Sequence, residues 1–418
     1  MKTTTVVAIG DLHLQSSNPR NPARLQALDY IIDSCTTPER YPSLGAWVFL
    51  GDLFHARSTA ADRNALAERI VRMGAYAPVV IVAGNHDLPG ELEIFGRLDV
   101  HPIHRVHVVT TPKLLRVWPA TGGLDLAIAC LPYPHKGGLV ASSSSGVSTA
   151  LAGDVALMDI CRGLGAELQA AAADGERALF VGHANVTGSL ASNGQPAIGQ
   201  ELSLDAAMLD AIGPCLKLLG HIHKPQTLHG AHYVGSVCRM DFGEVEIKVF
   251  GLVDFAAAGA TLSLLPIPVA PMYHVDGILT RESWDWQVTA GPGGAPMDPP
   301  ASWAGAEVRV RYRFAASERD VLPVDRVRET FAGAARIDLE PVAVPDSQVR
   351  APQVAAARTL ADKLEAWATL NGQVTLAPSV REKLAQLEHA DAALVLAAVS
   401  SMVADATEQP RPQEGRAA

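Results

Sequence analysis

The stretch PVVIVAGNHD, residues 78–87, sets an unbroken β-branched run against a glycine and then three polar residues in a row. An apolar run without alternation is the pattern of a strand buried on both faces, as in a parallel sheet covered by other layers. Glycine directly after such a strand lets the chain turn sharply and approach a ligand closely. The Asn85, His86 and Asp87 that follow have no packing purpose of their own at such a turn, so a binding role is expected for them.

Four other runs share this grammar. TTTVVAIG at 3–10 leads into GDLH, AWVFLG at 46–51 into GDLFH, ALFVG at 178–182 into GHAN, and CLKLLG at 215–220 into GHIH. Asp11, His13, Asp52, His55, His183, His221 and His223 therefore stand just past strand ends, beside Asn85, His86 and Asp87. Residues 60–75 between the second and third runs have helical spacing. Further strands are expected at 106–109 and 124–130, and a helix at 154–173. Such alternation predicts an α/β layered fold, whose ligand crevice lies outside the carboxyl ends of the strands. Five polar ends would then meet at one edge.

Converging Asp, His and Asn call for cations, because buried carboxylates without a counter-charge are costly. Oxygen and imidazole together suit Mn²⁺, Fe or Zn²⁺ better than Ca²⁺ or Mg²⁺, and the motifs lack the cysteines of a structural zinc site. In Asp-x-His and His-x-His, residues two apart share one face of an extended segment and could serve one site. The other histidines follow no such pattern and read as surface or turn residues. Asp125, Asp154 and Asp241 read as turn or capping residues.

Composition bounds the rest. A chain of 418 residues exceeds one compact core, so two or three domains are expected. The five cysteines are scattered without a CxxC pair, which points to reduced thiols and a cytoplasmic setting. No apolar stretch approaches the roughly 18 residues that span a bilayer. The amino-terminal run is expected to be a first strand rather than a signal peptide. The formal net charge of −10 argues against nucleic acid, but bound cations would offset part of it where the carboxylates cluster.

Taken in order, GDLHL, GDLFH, GNHD, GHAN and GHIH resemble the calcineurin-like metallophosphoesterase superfamily, over about residues 5–225. Within it the chain most resembles the SbcD/Mre11-type nucleases, the partners of SbcC/Rad50-like ATPases. GHANVTGS at 182–189 carries that narrower likeness. So does GHIHKPQ followed by YVGSVCRMDFGEVEIKVFGLVDF, with its Tyr-x-Gly-Ser turn and Phe-Gly-Glu. The resemblance implies a layered β-sandwich flanked by helices and two divalent ions, manganese first among them. It assigns Asp11, His13 and His223 to one ion and Asn85, His183 and His221 to the other, with Asp52 bridging. It makes His86 the acid at the leaving oxygen, with Asp87 orienting its ring and His55 near the phosphate.

The resemblance further implies a metallophosphoesterase domain at 1–268 and a smaller α+β capping, DNA-binding domain at 269–347. A helical segment at 348–405 would dock the ATPase, and 406–418 would form a disordered tail. By residue pattern, 285–306 reads as a Gly- and Pro-rich linker and 306–314 as a strand. There Arg309, Arg311 and Arg313 share one face, as a phosphate-binding stripe or as a solvated face with salt bridges to Glu307, Glu318 or Asp320. Amphipathic helices are expected at 353–370 and 378–390, and KGGLVASSSSGVST at 136–149 as a loop. Some members of the superfamily form homodimers. The activity implied is DNA cleavage at phosphodiester bonds. The alternatives are a phosphatase or phosphodiesterase on another substrate, against which the long stretch after GHIH counts, and a non-catalytic scaffold, against which the intact ligand set counts.

Overall fold

The computed structural model describes residues 3–37, 44–88, 90–119, 123–135, 149–192, 194–196, 201–244, 246–292, 294–345, 351–372, 378–380 and 382–383. The chain divides into two compact units, Met1–Phe314 with Glu318–Ala343, and Ala315–Ser317 with Val344–Ala418. The first unit carries the sheets.

Strands β1 (Thr4–Ile9), β2 (Leu44–Phe49), β3 (Val79–Val82) and β4 (Val106–Val109) run parallel, with crossover helices α1 (Asn21–Cys35) and α2 (Ala60–Gly74). A second sheet follows. It is built from β5 (Lys113–Val117), β6 (Leu126–Leu131), β7 (Arg177–His183), β10 (Leu216–Gly220), β11 (Gln226–Leu228) and β12 (Ala231–Tyr233). Between these strands lie α3 (Thr149–Ala173), the short pair β8 (Asn185–Val186) and β9 (Ser203–Leu204), and α4 (Ala206–Ala211). The chain then returns to the first sheet as β13 (Val249–Ala256) and β14 (Gly259–Pro266), antiparallel beside β1. The orders are β14-β13-β1-β2-β3-β4 and β11-β12-β10-β7-β6-β5.

Packing explains the unalternated runs. Val6, Val48 and Val80 of one sheet meet Ile128, Val181 and Leu218 of the other in a shared core. The opposite faces, with Val7, Phe49 and Ile81, pack on α1 and α2, while Phe180 and Leu219 pack on α3 and α4. Every residue of β1, β2 and β3 is therefore buried. This is the α/β sandwich flanked by helices that the sequence predicts.

A four-stranded sheet, ordered β16-β15-β17-β18, comprises β15 (Met272–Leu279), β16 (Trp284–Ala290), β17 (Glu307–Ala315) and β18 (Arg336–Val344). Its core joins Val308, Val310 and Phe314 to Trp303, Phe331 and Val327, the last of these from α5 (Val324–Thr330). In the other unit lie α6 (Pro352–Ala356) and α7 (Leu360–Leu370).

Several boundaries differ from the sequence reading. WDWQVTA is strand β16 rather than linker, because Trp286 packs on Trp303 and Phe331. Strand β5 was not anticipated, and α3 begins at Thr149, five residues before the expected start, which places Asp154 inside the helix. Within EVEIKVFGLVDF the strand β13 begins only at Val249. The helix expected over 353–370 is two helices, since Thr359 caps a new one by accepting a bond from the Asp362 amide at 3.1 Å. The loop positions 136–148, residues 384–405 of the expected docking segment with most of its second helix, and the tail 406–418 lie outside the described residues.

Candidate metal centre

The ends of β1, β2, β3, β7 and β10 meet where the two sheets face each other. Asp11 and the segment after it pair with the segment after β2: the amides of Leu12 and His13 both donate to the Asp52 carbonyl, at 3.1 and 2.9 Å. Across the sandwich, His183 Nδ1 donates to the Leu50 carbonyl at 2.7 Å, and the His221 amide donates to Asp11 Oδ1 at 3.1 Å. These bonds need bare backbone. Gly51 has φ of +106°, and a methyl there would overlap the His183 ring; one at Gly84 would overlap Asp52.

Left-handed backbone is concentrated here. Among the described residues, four other than glycine have positive φ, and three of them are His13 (48°), Asp52 (50°) and His221 (94°). Such conformations cost on the order of 1–3 kcal/mol each and persist where the surroundings over-determine them. They also correct the expectation of extended Asp-x-His and His-x-His pairs. His13 and His221 are turned inward by the backbone, not by strand alternation.

The side chains gather in three groups of close donor atoms: Asp11 with His13 and His223; Asp52 with His183 and His221; and His13 with His55 and His86. Asp52 Oδ2 lies 3.6 Å from His13 Nε2 and 3.4 Å from His183 Nε2, between the first two groups. Asn85 Oδ1 is 3.0 Å from His183 Nε2 and 2.9 Å from His221 Nδ1. All seven residues expected as metal ligands are thus brought together.

The donor set fits cations. His183 spends its Nδ1 proton on Leu50, so when neutral its Nε2 presents a lone pair towards Asn85 Oδ1 and Asp52 Oδ2, both acceptors. His223 Nδ1 faces Glu244 Oε1 at 2.6 Å, and its Nε2 meets His13 Nε2 at 3.0 Å. His13 Nδ1 is buried without a protein partner. Acceptors pointing at acceptors are unfavourable until a cation lies between them. Without an ion, the carboxylates draw positive charge to this place as a proton on His183 instead. Burial opposes ionisation of Asp52, but the neighbouring His183 and His13 hold its carboxyl well below the usual range. Burial would lower His183, and Asp52 and Asp11 instead hold it up, at about 9. His13 is driven well down, chiefly by burial, and then by the adjoining imidazoles against the pull of Asp52.

His86 and His55 sit at the rim on the His13 side. The His86 and His13 ring centroids are 4.8 Å apart, and the His55 and His86 rings stack at 5.4 Å. The role expected for Asp87 needs correction. Asp87 does not hold the His86 ring: its Oδ1 accepts the Leu53 and Phe54 amides and its Oδ2 the Gly84 amide. It is a buried staple between two motif loops, so the third polar residue of GNHD does have a packing purpose. Burial, and then the charge of Asp52, push its carboxyl up to about 7. The His86 ring is oriented instead by donation from Nδ1 to the His55 carbonyl, at 2.6 Å.

A second layer escaped the sequence reading. Glu201 Oε1 lies 3.2 Å from His221 Nε2, and Tyr133 donates to its Oε2 at 2.7 Å. Glu244 backs His223, and Arg24 of α1 donates to the His13 carbonyl. Neither Tyr133 nor Glu201 follows a glycine-terminated strand, so no local signal marked them. Glu244 lies in the quoted Phe-Gly-Glu, without a role attached. Asp241 behaves as expected of a turn residue, its Oδ1 accepting the Gly243 amide at 2.5 Å. Beside His221 and His223 opens a cleft of about 340 Å³, walled by Ser192, Asp241 and Glu244. Arg309, Arg311 and Arg313 lie elsewhere, along β17 in the four-stranded sheet, and Arg309 and Arg311 pair with Glu340 of β18 rather than with the expected Glu307, which pairs with Arg20.

Known proteins bear on this arrangement. The SbcD component of the SbcCD nuclease of Bacillus subtilis (strain 168) is 27% identical over 236 residues, covering 53% of this chain and 59% of the relative. The chain therefore spans less than two thirds of that relative's length. Among solved structures, TT1561 of Thermus thermophilus matches with a TM-score of 0.36 and 14% identity, over 63% of this chain and 99% of that one. The profile of the calcineurin-like phosphoesterases matches residues 4–225, from the first residue of β1 to just past GHIH. All five strand ends fall inside that span, and the chain belongs to the calcineurin-like phosphoesterase family.

Proposed function

We propose that this phosphoesterase cleaves DNA, as the nuclease component of a complex with an SbcC/Rad50-like ATPase. The observation that carries the reading is the meeting of Asp11, His13, Asp52, Asn85, His183, His221 and His223 at one sandwich edge beside an open cleft. Asp11, His13 and His223 would hold one divalent ion, Asn85, His183 and His221 the other, with Asp52 shared; manganese suits the mixed donor set. Such a pair supplies an activated water and charge neutralisation for an in-line displacement at phosphorus.

The chain's own residues do the rest. His86, anchored through Nδ1 to the His55 carbonyl, keeps Nε2 for the substrate. When protonated, it gives that proton to the leaving oxygen. His55, exposed beside it, offers its ring to the phosphate. Asp87 fixes the height of the 84–87 loop, and with it Asn85 and His86. The narrower reading, DNA rather than another phosphodiester, draws support from the similarity to the Bacillus subtilis nuclease component and from the arginine face of β17. In it, residues 1–268 form the nuclease domain, 269–347 cap it and contact DNA, and 348–405 dock the ATPase.

A second reading, a phosphatase or phosphodiesterase on a smaller substrate, is favoured by one feature. Glu340 pairs with both Arg309 and Arg311, so part of the expected phosphate stripe is internally neutralised. The test is cleavage of linear duplex and hairpin DNA with Mn²⁺, with and without an SbcC-like ATPase. Cleavage is expected, with His86→Ala reducing it by about 100-fold or more, the usual worth of a general acid. Hydrolysis of a chromogenic phosphate ester without any DNA cleavage would sink the nuclease reading.

A further inference from the structure

Behind His223 the protein buries a lysine. Lys248 has no exposed surface, and its Nζ donates to Glu244 Oε2 at 2.6 Å, Glu246 Oε1 at 2.6 Å and Ser236 Oγ at 2.9 Å. A charge so deep is costly unless it is paired, so each partner is held firmly. Glu244 is the partner that matters for the site. With Oε2 fixed by Lys248, its Oε1 accepts from His223 Nδ1 at 2.6 Å. The bond determines which nitrogen of His223 faces the site and how the ring is turned. Glu244 forms part of the cleft wall, and of the seven ligands it bonds to His223.

The segment carrying Glu244 is also tied to the four-stranded sheet. His274 of β15 donates from Nε2 to the Phe242 carbonyl at 2.6 Å. The Arg239 guanidinium spans from the Glu244 carbonyl to the carbonyl of Ala270, just before β15, at 2.9 Å each. Glu244 is therefore gripped through the backbone by residues anchored to that sheet. The opposite half of the site has a separate brace, Glu201 with Tyr133, from other segments.

We propose that Glu244 is a positioning residue for the Asp11–His13–His223 half of the metal centre, and that the four-stranded sheet sets its position through His274 and Arg239. A shift of that sheet would loosen one ion and spare the other. The inference goes beyond the nuclease reading, since it concerns ion binding and holds whichever phosphoester is cut.

The test is Mn²⁺ binding to the full chain, by calorimetry and by the paramagnetic resonance spectrum, in which coupled pairs and single ions differ. Glu244→Leu is expected to weaken one of two Mn²⁺ sites by about 10–100-fold, the range for lost outer-shell partners. The other site stays unchanged, giving a single-ion spectrum at intermediate Mn²⁺. Glu244→Gln keeps an acceptor for His223 Nδ1, with Lys248 still paired to Glu246 and Ser236, and should lose less Mn²⁺ affinity than Glu244→Leu. His274→Leu, which touches no ligand, should show the same one-sided loss and carries the test alone if Glu244→Leu fails to fold. Equal weakening of both sites, a Gln variant as impaired as Leu, or a His274→Leu variant with both affinities intact would each overturn the proposal. None of these readouts needs DNA, so their failure is distinct from failure of the nuclease reading.

Discussion

A methyl group added at Gly84 would run into the Asp52 carboxylate and its amide, so the strand-end glycine is fixed by a neighbour rather than by its own turn. Gly84→Ala is expected to destabilise the fold by about 1–3 kcal/mol, the range for overpacking, and to lower Mn²⁺ affinity along with it. Urea unfolding and metal titration of the same sample check both halves. The ligand types were legible one residue at a time, because each followed an apolar run and a glycine. Their orientation was not. The left-handed turns at His13, Asp52 and His221 depend on bonds between motifs far apart in sequence, as do the Leu53 and Phe54 amides that occupy Asp87 Oδ1. Tyr133→Phe belongs at this scale too. Losing the hydroxyl bond to Glu201 should weaken Mn²⁺ binding by up to about 10-fold, the low end for outer-shell partners, without altering the unfolding midpoint.

At the scale of elements, α2 shows how a helix start can serve the site. Thr59 and Asp62 form a reciprocal capping box, and Asp62 Oδ1 also accepts the Ser16 amide at 2.6 Å, in the loop that follows the Asp11–His13 segment. Asp62→Ala is expected to cost about 1–2 kcal/mol at neutral pH. Burial works against its charge, but the Thr59 and Ser16 bonds keep its carboxyl below the ordinary 3.8. The contribution is therefore complete above that value. It fades as pH falls below it, because the unfolded chain takes up the proton first. The gap between wild type and variant should close in acid, as denaturant midpoints across pH would record. The Thr-x-x-Asp spacing was present in the sequence, whereas β16 was obscured by the Gly and Pro that follow it. Its alternating Trp284, Trp286 and Val288 face the core of the four-stranded sheet. Trp286→Ala should cost about 3–5 kcal/mol there.

For the whole molecule, the question is what approaches the metal edge. On β17 the arginines alternate with the buried Val310, Tyr312 and Phe314, as the sequence pattern implies, but Glu340, the partner of Arg309 and Arg311, comes from β18 and no local pattern could have named it. Glu340→Gln should release Arg309 and Arg311 and strengthen non-specific DNA binding. Each additional phosphate neutralised steepens the slope of log K against log salt by about 0.9. Fluorescence anisotropy over a salt series would show it, and an unchanged slope would remove this face from the interface. The claim beneath all of these is that five strand ends build one centre for two ions, with Asp52 between them. Equilibrating the purified chain with Mn²⁺, removing free metal and measuring what remains tests it most directly. Two ions per chain are expected, with Asp52→Asn losing both together. One ion or none in wild type, or two retained in Asp52→Asn, would contradict it.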